Sequence, residues 1–547
     1  MNNKTLILIG LCICLLFTLP MISAADISSD SEMIENSVIG SDIDSQAIAA
    51  TDGNGLGQKD IDYSANASAE EDSGMDIIGA VDDDNSNLDD ENAQIDSGKD
   101  GNALRASPLG ADGDGNTFSD LKILIENAIA SGQPLALDRN FVFTSGEDDA
   151  LLNGIVIGSP ITINGGSHTI DGNHLARIFV INSDNVFLKD ITFKNGNTTT
   201  DDHGSDGGAL FIQGNHATLV NCNFTDNTAL EKGGSIYIAG DDCTLNNTVF
   251  HDNTAHDDGG AIAWYGDNGK VNNLIASGNS ADGLQGNPNG GTLLITGNNI
   301  YMDRLNISNS RLYKDGGDKS LKGGAIFLTG NNCNITNSVF TNCSVDSTVE
   351  DSSGGAIYVL GNNTNIVNCN FTNNSAIEDG GAIFIDGENC TLNHTVFIGN
   401  VAHNDGGAIE WNGDNGVIYD LTATGNYADC GNGGSKGGTL LIAGNNMVLD
   451  KLNISNSYVD GQDYTGSSAV QGGAIALSGN DCNVTNSTFT NCSVVYYKDD
   501  SNASGGALYI WGNRTNIVNC NFTNNTASED GGAIFIDGEN CTLNHTV

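Results

Sequence analysis

The sequence predicts an all-β protein: a right-handed, single-stranded parallel β-helix, a solenoid with an amphipathic helix capping its N-terminal end. Three observations predict it. A Gly-Gly-small-aliphatic motif recurs twelve times, beginning at Gly207, Gly233, Gly259, Gly290, Gly323, Gly354, Gly380, Gly406, Gly437, Gly472, Gly505 and Gly531. Short runs of Ile, Leu, Val and Phe, which favour strands, are separated by Asn, Gly and Asp, which favour turns. A single helical periodicity stands just ahead of the array.

The motif spacings are 26, 26, 31, 33, 31, 26, 26, 31, 35, 33 and 26 residues, a series that itself repeats. Residues 206–353 form one super-unit, 354–504 a second, and 505–547 the start of a third, read as truncated. NIVNCNFTNNSA at 365–376 returns as NIVNCNFTNNTA at 516–527. Each period reads as three short strands, in the first Ala209–Ile212, Thr218–Val220 and Cys222–Thr225. Strands this short are not stable as hairpins. Stacked coil on coil, each pairs with its counterpart in the next period, and some 14 coils at the usual strand spacing predict a rod about 65–70 Å long.

Ahead of the array, residues 1–25 read as a secretory signal. Lys4 gives a positive start, Leu6 to Leu19 is almost wholly apolar, and Ser23-Ala24-Ala25 offers a cleavage site. A retained signal anchor is the competing reading. No other stretch is apolar for the roughly 20 residues that a spanning helix needs. Residues 26–115 carry 23 Asp or Glu against Lys59, Lys99 and Arg105. Such a segment buries too little to offset its ordering entropy, and is expected to be a disordered spacer. Residues 116–134 hold the capping helix. Thr117 and Asp120 make a capping-box pattern, Phe118, Leu121, Leu124, Ile125 and Ile129 share one face, and Gly132 ends it. From 135 to 547 the chain is β-helix.

Charge excludes one class of partner. The formal net charge is −49, with 20 Lys and Arg against 69 Asp and Glu, so nucleic acid and anionic membranes are not expected to bind. Solubility alone is an equal explanation of the charge.

Alternation within the Gly-Gly strand turns Leu210 and Ile212 inward and Phe211 outward. That outward column reads Phe211, Tyr237, Ala263, Leu294, Phe327, Tyr358, Phe384, Glu410, Leu441, Ala476, Tyr509 and Phe535, beside a column of Ala, Ser and Thr. The aromatic members Phe211, Tyr237, Phe327, Tyr358, Phe384, Tyr509 and Phe535 are the candidate ligand-binding stripe, expected to be exposed and to meet glycans or a partner protein on host or microbial surfaces. The competing reading is cross-strand stacking that only stabilises the sheet.

Cysteines recur at fixed places: Cys222, Cys369 and Cys520; Cys243, Cys390 and Cys541; Cys333 and Cys482; Cys343 and Cys492; with Cys430 alone. Equivalents lie a super-unit apart, beyond disulfide reach, so buried free thiols are expected. No metal site and no cofactor are predicted, since neither Cys-x-x-Cys nor a calcium-loop pattern occurs. Asp201-Asp202-His203-Gly204 resembles fragments of polygalacturonase motifs, but its groups are contiguous in one turn and the chain has only six arginines. No catalytic residues are assigned. Sequons such as Asn66, Asn197, Asn223, Asn370 and Asn521 are abundant, as an Asn- and Thr-rich repeat produces them by chance.

The pairing of Gly-Gly-Ala-aliphatic with Phe-x-x-Asn is similar to the chlamydial polymorphic outer-membrane protein repeat. Gly207-Gly208-Ala209-Leu210 and Gly380-Gly381-Ala382-Ile383 carry the first motif. Phe224–Asn227, Phe250–Asn253, Phe371–Asn374, Phe397–Asn400 and Phe522–Asn525 carry the second, while Cys343 and Cys492 stand where Phe340 and Phe489 call for Asn. The layout from about 115 onward, with ITINGGSHTIDGNHLARIF at 161–179, resembles adhesin-like surface proteins of methanogenic archaea. The resemblance implies a β-helix and an adhesive, non-enzymatic role at the cell surface; a structural part of the envelope and, far behind, polysaccharide cleavage are the alternatives.

Overall fold

The computed structural model describes residues 104–105, 116–198, 205–284, 286–314, 320–347, 352–429, 434–461, 469–496 and 503–547. The leader, nearly all of the acidic segment, the Asp201–Gly204 motif and Cys430 lie outside them. From residue 116 on, the described chain is one helix followed by a parallel β-helix, and every strand pairing among the described residues is parallel.

Left-handed corners make the coil. In one turn His216, Asn221 and Asp226 have φ of 56°, 52° and 54°, and Gly207 has φ of 65°. Corners five residues apart hold each straight run between them to three or four residues. Asn and Asp tolerate this conformation better than other side-chain-bearing residues, which explains their abundance. The twelve Gly-Gly strands, ending at Ile534–Ile536, follow Ile155–Ile157 and Phe179–Ile181 in one 14-stranded sheet. The next part of each coil, two strands in the first (Thr218–Val220 and Asn223–Thr225) and one of eight residues in the second (Thr244–His251), enters a 23-stranded sheet. A two-residue strand such as Thr228–Ala229 closes the coil in an 11-stranded sheet. Gly207 to Thr228, Gly290 to Arg311 and Gly472 to Ser493 each span 21 positions, so the differences in period length all fall between the third sheet and the next Gly-Gly strand.

The interior is a set of columns. Leu210, Ile212, Leu219 and Phe224 are at most 1% exposed, as are their counterparts in most coils. Phe193, Phe224 and Phe250 stack at 5.0 and 4.8 Å, and Phe340, Phe371 and Phe397 at 5.0 and 4.8 Å. Trp264 and Trp411 replace Ile in the third coil of each super-unit, where Gly269 and Gly416 leave space for the indole.

Beside the Phe column runs a polar one. Asn227, Asn253 and Asn279 are fully buried. Each of the first two gives its backbone N–H and its Nδ2 to the Oδ1 of the next Asn, at 2.9–3.0 Å. Their Nδ2 groups also donate to the carbonyls of Phe193 and Phe224. Asn374, Asn400 and Asn426 repeat the pattern. This is what the Asn of Phe-x-x-Asn does. Where Ser310 and Ser457 take the place, Thr292 and Thr439 supply a partner hydroxyl at 2.6 and 2.7 Å.

The helix Phe118–Ser131 sits at the start of this core. Thr117 and Asp120 bond reciprocally, and Gly132 closes the helix in the left-handed region. Phe118, Leu121, Ile125 and Ala128 are buried, with Phe118 edge-on to Phe143 at 5.5 Å. In the described part of the acidic segment, Leu104–Arg105 pairs in parallel with Leu135–Ala136.

The ten described cysteines are free, nine of them buried. Their thiols point at carbonyls, Cys222 Sγ lying 3.5 Å from the Val220 oxygen. Burial pushes the Cys222, Cys343 and Cys369 thiols up to about 12. Native protein at pH 8 is therefore expected to leave these three unmodified by iodoacetamide for hours and to react fully in denaturant, because the thiolate is the nucleophile. Mass spectrometry of the alkylated chain checks this, and rapid native labelling would contradict it.

Candidate functional site

The outward column of the Gly-Gly sheet lies as alternation requires, in register from Val180 and Phe211 through Tyr509 and Phe535. Its exposure differs from expectation. Tyr358, Phe384 and Tyr509 are buried at 6–9% exposure, and Phe211, Tyr237, Phe327 and Phe535 are half-buried. The rings cover one another: Phe211 stacks on Tyr237 at 5.0 Å, Tyr358 on Phe384 at 4.5 Å, and Tyr509 on Phe535 at 5.1 Å. Cations add cover, Arg177 over Phe211 and Lys322 over Tyr358. A ligand arriving from outside meets ring edges rather than ring faces. The neighbouring small-residue column is not a surface track either. Ala209, Ser235, Ala261 and Thr292 are fully buried, because the left-handed Gly turns the chain and carries the second residue after it into the interior corner.

Two further columns flank the rings. On one side the residues before the Gly-Gly pairs include Asp206, Lys232, Asp258, Asp379, Asp405 and Lys436; on the other side stand residues that include Tyr265, Asp386, Asn412 and Trp511. In the first super-unit this dressing is self-satisfied. Lys232 Nζ bonds to Asp257 and Asp258, and the Tyr265 ring stacks on Tyr237 at 5.1 Å.

The second super-unit is different at the same place, 147 positions on (Gly354 against Gly207). Asp379 stands for Lys232, Glu410 for Ala263, and Asn412 for Tyr265. Glu410 is 8% exposed. Its Oε1 accepts from Asn412 Nδ2 at 3.1 Å, and its Oε2 has no partner among the described residues. Asp379 accepts from Asn404 Nδ2 and from the Asp405 N–H, and Asp405 pairs with Lys436 at 3.4 Å. Burial, and then the carboxylates of Asp379 and Asp405, hold the Glu410 carboxyl well above its ordinary value. Burial first, with Asp379 added, pushes Asp405 up to about 6 in spite of Lys436.

A carboxyl held high in the fold stabilises while it is protonated in both states, and that contribution is lost as pH rises through the folded value. Glu410→Gln removes the penalty and keeps the shape. It is expected to raise stability at pH 7 by about 1–3 kcal/mol, the range for an unsatisfied buried polar group, with the gain vanishing near pH 4. Urea melts at the two pH values measure this; equal stability at pH 7 would refute it.

Among the described residues no group of three or more His, Cys, Asp or Glu side chains is placed to hold a metal ion. No described helix is long and apolar enough to cross a membrane. Asn223, Asn370 and Asn521 lie exposed on the outer wall.

Comparison with known proteins bears on this face and its scaffold. A family model described as right handed beta helix region matches residues 176–354. The helix is right-handed. A second model, the Chlamydia polymorphic membrane protein repeat, matches residues 368–386 and 519–537, each running from a Phe-x-x-Asn strand into a Gly-Gly strand. No curated protein matches the sequence. Among solved structures, the chain is similar to alginate lyase AlyF-OU02 in complex with G6, at 12% identity over 78% of this chain and 86% of that one, with a TM-score of 0.41. It is similar to the tailspike of E. coli bacteriophage HK620 in complex with a hexasaccharide, at 11% identity over 77% and 75%, TM-score 0.41. A mannuronic acid specific family 6 lyase from human gut microbiota shows 12% identity over 74% and 86%, TM-score 0.37. None of these activities is carried over to this chain.

The residues missed in the sequence are Asp379, Asp405 and the changed setting of Glu410. Setting the two super-units against each other, residue for residue, is the signal that finds them.

Proposed function

We propose that this protein is a secreted, non-enzymatic surface protein that adheres to extended glycans through its Gly-Gly face. The observation that carries the reading is the register of that face. Twelve outward positions follow one another at strand spacing on a single sheet, with ring edges at seven of them and polar groups on both sides. A polymer with a regular repeat can meet such a row at several points at once, and multipoint contact raises avidity without strong single sites. The polymorphic membrane protein repeat and the leader-like residues 1–25 support a place outside the cell, and the resemblance to methanogen adhesin-like proteins supports the adhesive role.

The test is a glycan array probed with the full chain, followed by Tyr358→Ala and Phe384→Ala. Retained stability with lost glycan binding supports the reading. Loss of stability alone, or no glycan bound by the wild-type chain, overturns it in favour of a structural role. Release of reducing ends from pectin or alginate by the pure protein would overturn the non-enzymatic part.

A further inference from the structure

One outward column of the 23-stranded sheet holds Asn223, Asn306, Asn370, Asn453 and Asn521 on an unbroken register. Each begins an Asn-x-Ser/Thr triplet: Asn-Phe-Thr at 223, 370 and 521, and Asn-Ile-Ser at 306 and 453. Alternation sorts the triplet. The Phe or Ile points inward, the Asn is exposed, and the hydroxyl two positions on shares its face. Among the described residues the five Asn side chains make no hydrogen bond. Neighbouring columns spend their amides on one another: Asn273 donates to Asn247 at 2.8 Å, and Asn365 to Asn334 at 3.1 Å.

Two comparisons within the chain separate this column from the triplets that composition alone produces. His251, in register with Thr225, becomes Ile398 in the second super-unit, in register with Thr372. The wall therefore drifts where no triplet stands, while all five Asn keep their hydroxyl partner. The fully buried Asn227, Asn253, Asn279, Asn374, Asn400 and Asn426 are each followed two positions on by Ala, so none of them begins a triplet.

We propose that Asn223, Asn306, Asn370, Asn453 and Asn521 are N-glycosylated, and that the glycans clad this wall while the Gly-Gly wall, whose outward column holds no Asn, stays bare. The inference rests on the secreted half of the reading above. The donor is an oligosaccharide joined through its anomeric carbon to a lipid diphosphate. Transfer forms a bond from Asn Nδ2 to that carbon and breaks the carbon's bond to the phosphate oxygen. The lipid diphosphate leaves with the bonding pair, and an amide proton passes to a base of the transferase. In the finished sheet each triplet is held in the strand ladder, so transfer takes place during export, before the coils close. The fold accepts the product because the attachment points face solvent. The five never adjoin in register. One or two coils stand between them, which sets the attachment points about 10 or 14 Å apart. Every intervening position is Val, Ile or Thr. Ile275 and Val339, on either side of Asn306, are 45% and 36% exposed. A glycan on Asn306 shields both, and contiguous exposed apolar surface otherwise invites association.

The experiment is secretion of the full chain behind its own residues 1–25, and in parallel behind a leader of the host, from a cell whose transferase modifies Asn-x-Ser/Thr. Enzymatic deglycosylation in heavy-oxygen water marks each formerly occupied Asn as Asp, and peptide mass spectrometry reads the positions. At least four of the five are expected to be occupied. Changing all five to Gln is expected to remove that glycan, leave the urea midpoint unchanged, and make the chain associate more strongly in sedimentation than the glycosylated form. Three or fewer occupied sites in exported chain overturn the inference and leave secretion standing. Full occupancy without any gain in association on removal overturns the cladding role. Export behind the host's leader but not behind residues 1–25 overturns the secreted reading, and the inference with it. Export behind neither overturns both.

Discussion

Asn400→Ser is expected to destabilise the protein by about 3 kcal/mol, and adding Ala382→Thr is expected to recover about half of that. Asn400 Oδ1 accepts the backbone N–H and the Nδ2 of Asn374, each at 3.0 Å, and its own Nδ2 donates to the Phe371 carbonyl at 3.0 Å. All this lies where Asn374 and Asn400 are fully buried, so no water replaces what is lost. Serine is too short to reach both coils, and each orphaned buried group costs about 1–3 kcal/mol. Serine is nonetheless tolerated at Ser310 and Ser457, where Thr292 and Thr439 face it from 18 positions earlier in the same coil. Ala382 is the corresponding position before Asn400. Coupling of neighbours in one network is commonly about 0.5–3 kcal/mol. Chemical denaturation of the two variants and of Ala382→Thr alone closes the cycle. A loss below about 0.5 kcal/mol in Asn400→Ser would mean the ladder is ornamental.

Gly407→Ala is expected to be at least as damaging. A Cβ there would lie 2.1 Å from the Gly438 oxygen and 2.5 Å from the Tyr427 carbonyl carbon and oxygen. All three are backbone atoms, one in the next coil and two in the closing strand of its own, so no side chain can step aside. Overpacking costs typically about 1–3 kcal/mol, and more where backbone must move. Each coil of a solenoid touches only its neighbours. The damage is therefore expected to appear as a split transition, with coils on either side of residue 407 unfolding at different denaturant concentrations. Gly425→Ala is the control. Gly425, unlike Gly407, has a positive φ of 65°, and nothing lies within 4 Å of its added Cβ, so its cost is that of left-handed backbone alone, about 1–2 kcal/mol. A single unshifted transition in Gly407→Ala would refute the close approach.

The fold was legible because two periods are nested. The Gly-Gly series marks where each coil begins, and the alternation of Leu210, Phe211 and Ile212 tells inside from outside. The capping pattern of Thr117 and Asp120 is visible for the same reason: the chemistry is local. Exposure was not legible. That Tyr358 and Phe384 cover each other follows from their being neighbours in space across 26 positions of chain, and reading the column as a list of outward residues does not show that stacked rings spend their faces on one another. The role of Ala209 and its equivalents was misread because alternation was carried back past the start of the strand at Leu210 into the corner that Gly207 opens, where it does not hold. The Glu410 site was half legible. Its residue stood out in an otherwise apolar column, but Asp379 and Asp405 belong to a different column, and only the winding brings the two together.

The constant 21 positions from each Gly-Gly to the closing strand have a consequence for how such a chain can change. Three walls of every coil are locked to the coils above and below, and a residue gained there would throw the whole stack out of step. The stretch between the closing strand and the next Gly-Gly carries all the variation in length, from the 26-residue periods to the 35-residue one. It opens beside the charged flank of the outward row. The architecture thus separates a chassis that must be copied faithfully from a single socket per turn where the chain can lengthen without moving the coils, and where the longer stretches pack small apolar clusters of their own.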